Sequence, residues 1–193
     1  MLKKLIFAAC CILSTTVFAA NPADLAKLPK PADVSTQKGL DLSSADLHTY
    51  QFSNAKVDFQ HANLTHANLA GVNMENMDLS NADLSHADLK SANLSGANLS
   101  NANLEYADLS DADLSHANLS DAKLIFSILT KANLQQANLT RANFTCANFN
   151  DANLNKANVA EATISSATFI NTVTTDIRNY GSVTDDKVGC AAG

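Results

Sequence analysis

The segment from Ala62 to Leu154 repeats a five-residue unit of the form Ala-(Asn/Asp)-Leu-x-x without an insertion or a deletion. Thirteen of its nineteen units read Ala-Asn-Leu or Ala-Asp-Leu outright. An α-helix turns by about 100° per residue, so apolar residues repeated every five positions would not share one helix face. The repeat therefore excludes a long amphipathic helix.

An extended chain fits this unit only if it turns after every five residues. Side chains two positions apart point to the same side of a strand, which suits the Ala and Leu of one unit. Because five is odd, a straight strand would point the next pair to the opposite side. Turns of about 90° would close a four-sided coil of about 20 residues, and successive coils would stack about 4.8 Å apart. The sequence predicts a solenoid with Ala and Leu inside.

The Asn/Asp residue of each unit lies between two inward side chains. A short polar side chain there can hydrogen bond to neighbouring backbone amides and hold the corner. Ala beside Leu lets two inward side chains per side fill a narrow interior without overpacking.

The unit resembles that of the pentapeptide-repeat family. The resemblance covers residues 40–169 and rests on units such as Ala82-Asp83-Leu84, Ala97-Asn98-Leu99 and Ala117-Asn118-Leu119. It implies an all-β fold, the right-handed quadrilateral β-helix. It implies little about function, because the family includes many members of unknown role.

Residues 1–19 have the features of a secretory signal peptide. Lys3 and Lys4 precede an apolar run from Leu5 to Leu13, and residues 17–19 place small side chains where a signal peptidase acts. We expect cleavage after Ala19 and an exported protein, periplasmic or secreted, that meets the membrane only through the signal peptide before cleavage.

Two alternatives for the N-terminus stay open. An uncleaved membrane anchor is one, although the apolar segment is short for a bilayer. A lipoprotein is the other, because Cys10 and Cys11 lie in the apolar run, although few apolar residues separate Cys10 from the lysines.

The mature chain divides into three segments. Residues 20–39 lack the repeat and contain three prolines, which predicts an N-terminal cap or linker. Residues 40–169 form the repeat domain, where the inward positions step from Val57 to Phe59 and predict a two-residue phase shift at 57–59. Residues 170–193 follow no repeat and predict a C-terminal cap or tail over an open strand edge.

One column of outward residues differs from the others. Positions 20 apart should lie above one another on the wall, and this column is aromatic, whereas the equivalent columns are polar or small. Ile125 and Ile128 lie beside it at positions that are polar elsewhere. We define the ridge, a candidate interaction surface, as His66, His86, Tyr106, Ile125, Phe126 and Ile128. Exposed apolar patches mark contact sites, so the ridge predicts a protein partner or self-association. The alternative is a local distortion of residues 125–128 that packs on itself or under the tail.

The mature chain keeps two cysteines, Cys146 and Cys190. In an oxidising compartment they predict a disulfide that ties the C-terminal tail to the solenoid wall. Free thiols or an intermolecular bridge remain as alternatives.

The sequence contains no catalytic constellation, cofactor-binding motif or metal site that we can identify. His66 and His86 should lie about 5 Å apart, but two imidazoles without a carboxylate or thiolate make a weak metal site. The serines are outward repeat residues, and a convex rod lacks the concave site that catalysis needs. We expect a protein that is not an enzyme.

Acidic residues dominate the charge. The net charge is −6, and acids are concentrated between Glu75 and Asp121. This balance disfavours nucleic-acid binding. The resemblance suggests one alternative function, a DNA mimic that binds a type II topoisomerase, but acids on all four sides and export argue against it.

The expected function is an exported, non-enzymatic scaffold or protein-binding module. The topoisomerase-directed DNA mimic is the first alternative. An enzyme whose activity lies in the non-repeat ends is the second.

Overall fold

A computed structural model of the chain describes residues 39–50, 52, 57–179 and 190. The predicted signal peptide at 1–19, its cleavage site and residues 20–38 of the predicted cap lie outside these residues. Across the described ranges, the chain forms no helix with the length and apolarity that a membrane crossing requires.

The chain forms stacked four-sided coils joined by parallel β-bridges. Each side contributes one bridge residue rather than a longer strand, and the bridges run from Asp41 to Arg178. Asn103, for example, pairs with Asp83 in the preceding coil and with Lys123 in the following one. From Asn63 onward the partners lie 20 residues apart, which confirms the predicted coil of four five-residue units.

Backbone hydrogen bonds between coils hold the stack. In the unit 102–106, Asn103 N–H donates to the carbonyl oxygen of Ala82 in the preceding coil at 2.9 Å. Leu104 N–H donates to Lys123 O in the following coil at 2.7 Å, and the fifth residue of the unit donates in the same direction. Three of the five N–H groups in this unit therefore bond to neighbouring coils.

A turn closes each side of the coil. Ala107 N–H donates to Leu104 O at 3.1 Å, across a turn whose third residue, Tyr106, has φ of 60°. A positive φ at this position is what a type II turn requires. Ala102, the first residue of the unit, donates to Leu99 O across the preceding turn at 3.1 Å, and the remaining N–H, of Glu105, donates to Asn103 Oδ1 at 3.2 Å. All five N–H groups of the unit are thus hydrogen bonded, as a buried or half-buried backbone demands.

The Asn/Asp side chains also form ladders along the rod. Asn103 Nδ2 donates to Asp83 Oδ1 at 3.1 Å, and the same bond recurs 20 residues apart on other sides, as between Asn118 and Asn98. The prediction that these side chains bond to neighbouring amides and hold the corners is confirmed. Asn serves better than Asp for propagation along the ladder because its amide both donates and accepts.

Ala and Leu fill the interior, as the sequence predicts. The Leu side chains of the regular coils are fully buried, and each contributes about 1.5 to 3 kcal/mol through removal from water. Phenylalanines replace Leu towards both ends of the described coils. Phe52 and Phe59 meet edge to face at 5.1 Å, and Phe144 and Phe149 do so at 5.0 Å.

The first described coil is longer than the rest. Asp41 pairs with Asn63 and Asp46 pairs with Asn68, so these partners are 22 residues apart instead of 20. The two extra residues lie between Asp46 and Asn63, the interval that contains the step from Val57 to Phe59.

The coil backbone continues beyond the boundary predicted after Phe169, which is therefore too early. Bridges reach Val173 and Arg178, and Asn171 and Asp176 keep the left-handed turn conformation. The stack depends on backbone bonds and on residues that tolerate positive φ, so it persists after the Ala-Leu pattern has faded. Of the segment predicted as a cap or tail, residues 170–179 belong to the solenoid.

Two residues interrupt the Asn/Asp ladders between positions 63 and 158, and one of them is apolar. Lys123 and Ile128 occupy the bridge position. Ile128 stands between Asp108 and Asn148, and it has no oxygen to offer to the Thr130 N–H. Its side chain is 40% exposed. The fold alone would favour Asn at this position.

Replacing Ile128 with Asn should therefore stabilise the protein. The new side chain would accept from Thr130 N–H and donate to Asp108 Oδ1, which should add about 1 kcal/mol and raise Tm by about 2 to 4 °C. Thermal unfolding followed by circular dichroism measures this. Ile125→Ser, at a turn position without a ladder role, is the control and should unfold near the wild-type temperature. An Ile128→Asn protein that unfolds at or below the wild-type temperature would contradict the ladder argument.

Candidate interaction surface

The four aromatic residues of the ridge stack in one column along a corner of the solenoid. The ring centroids of His66 and His86 are 4.8 Å apart, those of His86 and Tyr106 are 4.8 Å apart, and those of Tyr106 and Phe126 are 5.1 Å apart. The planes of neighbouring rings differ by 15°, 1° and 11°. The spacing is that of the stacked coils, so the fold itself brings the rings together.

The column occupies the left-handed position of the turns. His66, His86, Tyr106 and Phe126 have φ between 57° and 60°. Bulky side chains are disfavoured in this conformation, whereas Asn and Asp tolerate it, and those residues are common at the other corners. Stacked aromatic pairs contribute about 0.5 to 1.5 kcal/mol each, which offsets the backbone strain.

Stacking determines which part of each ring faces solvent. Neighbouring rings cover one another's faces, so the column presents mainly ring edges: imidazole nitrogens, the tyrosine hydroxyl and phenyl carbons. Tyr106 is 49% exposed, both histidines are exposed, and Phe126 is half-buried. A base or a sugar ring, which stacks on an aromatic face, finds both faces of His86 and Tyr106 already covered.

The two isoleucines of the ridge lie on a regular backbone. Phe126 N–H donates to Thr145 O and Ile128 N–H donates to Ala107 O, both at 3.0 Å, as equivalent residues do in other coils. The alternative of a local distortion at 125–128 is therefore wrong. Ile128 remains exposed and Ile125 half-buried, so both continue the apolar surface beside Phe126.

A serine is buried at this corner, and its side-chain hydrogen bond was not predicted from the sequence. Ser127 takes the inward position of Ala and is only 1% exposed. Its hydroxyl donates to Leu124 O at 2.7 Å, which satisfies the buried polar group.

A disulfide occupies the column after the last ring. Cys146 and Cys190 are bonded, with 5.7 Å between their Cα atoms. Cys146 lies at the corner position that follows Phe126, and Cys190 Sγ lies 3.7 Å from the carbonyl oxygen of Ser166, the next residue of the column. The C-terminal cysteine is therefore held at the same corner as the rings.

Acidic side chains flank the middle of the column. Asp83 Oδ1 accepts from Ser85 N–H beside His86, and Glu105 precedes Tyr106 in the same turn. On the other flank, Lys90 Nζ lies 3.1 Å from Asp108 Oδ2. Partial burial opposes ionisation of Asp108, but hydrogen bonds from Ser110 and Lys90 outweigh it and hold the pKa of Asp108 below its usual value.

A second ion pair lies on the neighbouring corner. Arg141 Nε and Nη2 each lie 2.7 Å from a carboxylate oxygen of Asp121, 20 residues earlier. This bidentate contact lowers the pKa of Asp121 and raises that of Arg141. The pair could have been found from the sequence, because opposite charges 20 positions apart fall in one column.

The histidine pair does not resemble a metal site. His66 and His86 stack with nearly parallel planes instead of directing two nitrogens to one point. Within the described part of the chain, no group of three or more His, Cys, Asp or Glu side chains could hold a metal ion.

Sequence comparison identifies the family. The family model described as pentapeptide repeats matches eight copies, over residues 58–96, 92–130, 117–155 and 142–172. The chain belongs to the pentapeptide-repeat family. This pentapeptide-repeat protein has the right-handed quadrilateral β-helix that the resemblance implied.

Several solved pentapeptide-repeat structures are similar to it. Rfr23 from the cyanobacterium Cyanothece 51142 is 29% identical, with 62% of this chain and 91% of that chain covered and a TM-score of 0.41. The protein alr5209 from Nostoc Pcc 7120 is 44% identical, with coverage of 48% and 70% and a TM-score of 0.26. QnrB1, a plasmid-mediated fluoroquinolone resistance protein, is 18% identical, with coverage of 77% and 78% and a TM-score of 0.46. No curated protein sequence matches the chain.

Removing the disulfide should lower the stability of this pentapeptide-repeat protein. The bond closes a loop with a sequence separation of 44, for which the chain-entropy model gives about 4 kcal/mol at most. We expect the Cys146→Ser, Cys190→Ser double variant to unfold up to about 10 °C below the oxidised wild type. Wild type treated with dithiothreitol should match the variant, and the variant should not respond to the reductant. A wild-type Tm that is insensitive to reduction would contradict this.

Proposed function

We propose that this pentapeptide-repeat protein is an exported, non-enzymatic binding module that presents the ridge to a protein partner. The partner contacts the edges of the stacked rings and the apolar side chains of Ile125 and Ile128. The coils act as a rigid support for this surface.

The observation that supports the proposal is that the ridge contains residue types that the fold itself does not favour at those positions. Ile128 interrupts a hydrogen-bonded ladder and leaves an apolar side chain 40% exposed. Tyr106 and Phe126 occupy left-handed positions that Asn would adopt with less strain. Residues that serve the fold poorly and form one exposed apolar surface are typical of a binding site.

The support beneath the ridge favours binding with little loss of entropy. Every coil at the ridge keeps its full set of bonds to the coils on either side, and the disulfide holds the end of the column. A surface that is already ordered before the partner arrives avoids the ordering cost that weakens flexible binding sites.

Two features support the remaining parts of the proposal. The Cys146–Cys190 disulfide suits an oxidising compartment and thus supports export. Outward hydroxyls such as those of Ser110 and Thr140 donate to the ladder residues Asp108 and Asn138 at 2.6 Å, so they serve the turns and not a nucleophilic site.

Cell fractionation tests export. A C-terminally tagged chain should appear outside the cytosol at the mass expected after cleavage following Ala19, because residues 1–19 have a signal-peptide pattern. Replacing Ala19 with Arg should block processing and leave a larger band, which serves as the control for cleavage. Full-length protein in the cytosol of wild-type cells would contradict export and support the alternative of a topoisomerase-directed DNA mimic.

A pull-down from envelope extract tests the ridge. Tyr106→Asn combined with Phe126→Asn keeps residues suited to left-handed turns and removes two rings, so the fold should remain and partner capture should fall about tenfold or more. Quantitative mass spectrometry of the captured proteins measures this. Gln136→Asn, at the diagonally opposite corner, is the matched control and should capture as wild type does. Equal capture by the double variant and the wild type would refute the ridge as the binding surface.

A further inference from the structure

The ridge has two halves of different chemistry. The half at His86 and Tyr106 is flanked by Asp83, Asp88 and Glu105, all half-buried. The half at Phe126 is flanked instead by two isoleucines and by the exposed Lys123, which takes the position that Asp83 has in the acidic half, and it ends at the disulfide. A partner that covers the whole column therefore meets negative charge at one end and apolar side chains at the other.

We propose that the ridge binds an extended peptide segment of its partner, with basic side chains along the acidic half and apolar side chains along the Phe126 half. This inference rests on the proposed function and specifies the chemistry of the partner. Cationic side chains complement the carboxylates, and apolar side chains pack against Phe126, Ile125 and Ile128.

The length of the column suits a short segment. From His66 to Phe126 the ring centroids succeed one another at 4.8, 4.8 and 5.1 Å. The column thus spans about 15 Å, which an extended peptide covers with about five residues. The contact area lies far below that of a standard protein interface of about 1,600 Å², so we expect a weak, rapidly exchanging and salt-sensitive contact.

Other occupants fit the ridge less well. A parallel pairing with a second copy of this chain would place Asp83, Asp88 and Glu105 against the same acids of that copy, and an antiparallel pairing would place them against its apolar half. Nucleic acid would bring phosphates to the same carboxylates. Bases and sugars cannot stack on His86 or Tyr106, because both faces of these rings are covered by their neighbours.

Binding of three labelled nonapeptides to the mature, disulfide-bonded chain tests the inference. The first has two lysines near one end and two leucines near the other, the second replaces lysine with glutamate, and the third replaces leucine with serine. Fluorescence anisotropy at low and high salt measures binding, and mass in solution measures self-association.

Two variants separate the halves of the ridge. The ring variant combines Tyr106→Asn and Phe126→Asn. The charge variant combines Asp83→Asn, Asp88→Asn and Glu105→Gln, which keeps the ladder bonds because Asn fills the same position in other units. A matched control removes three acids at other corners through Glu75→Gln, Asp111→Asn and Asp113→Asn. Thermal unfolding verifies that each variant is folded.

We expect the lysine-leucine peptide to bind more tightly than either of the other two. The ring variant should weaken its binding about tenfold or more, and the charge variant should weaken it several-fold and abolish the salt dependence. The control should bind within about twofold of wild type. Equal binding of the glutamate peptide, an equal loss in the control, or a dimer that the ring variant dissociates would each overturn the inference.

Failure here is distinguishable from failure of the proposed function. If the ring variant loses its captured envelope protein but no peptide is preferred, the ridge remains a binding surface and the partner chemistry is wrong. If the ring variant captures the same proteins as wild type, the proposed function itself is wrong.

Discussion

The hydrogen bond from the N–H of the fourth residue of a unit to the side-chain oxygen of the second, made wherever the second residue is Asn or Asp, is the contact on which most of the structure depends. The other four N–H groups of a unit find backbone acceptors, three in neighbouring coils and one across the turn. The fourth cannot, because the chain bends there, and Asn or Asp supplies the missing acceptor, as Asn103 does for Glu105. With this bond in place a side only one bridge residue long is fully hydrogen bonded, and the apolar interior can be as narrow as one Ala and one Leu per side.

This arrangement separates the demands of the fold from those of the surface. The inward side chains pack the interior and the ladder side chains hydrogen bond between coils. The fourth and fifth residues of each unit are therefore constrained mainly by the turn. The fifth must accept a positive φ, which favours Asn, Asp and His but admits an aromatic residue when a ring in the next coil stacks on it. Each ring in the column is therefore stabilised by stacking on its neighbours, whereas a single ring at such a corner would have the backbone strain of a positive φ and no stacking to offset it.

Much of the fold and part of the ridge could be predicted from the sequence. The exact five-residue recurrence of Ala and Leu predicted a coil of four units, and the column that contains Tyr106 and Phe126 followed from the resulting spacing of 20 residues. The boundary predicted after Phe169 is wrong because the loss of the apolar pattern does not end the coil, and Asn171 and Asp176 continue the turns without it. The exposure of Ile128 was predicted with the ridge, whereas the hydrogen bond from the Ser127 hydroxyl to Leu124 O could not be foreseen, since it depends on a side-chain torsion.

The sequence by itself determined which side chains lie inside, how many residues make a coil and which residues share a column, because a five-residue period with two apolar positions has one compact solution. Only the tertiary structure decided how the side chains of the column are arranged. It showed that the rings stack face to face and present their edges, that the backbone at residues 125–128 is regular, and that Cys190 returns to the corner of Cys146. These depend on side-chain torsions and on a contact between residues far apart in the chain, and neither is encoded in a local period.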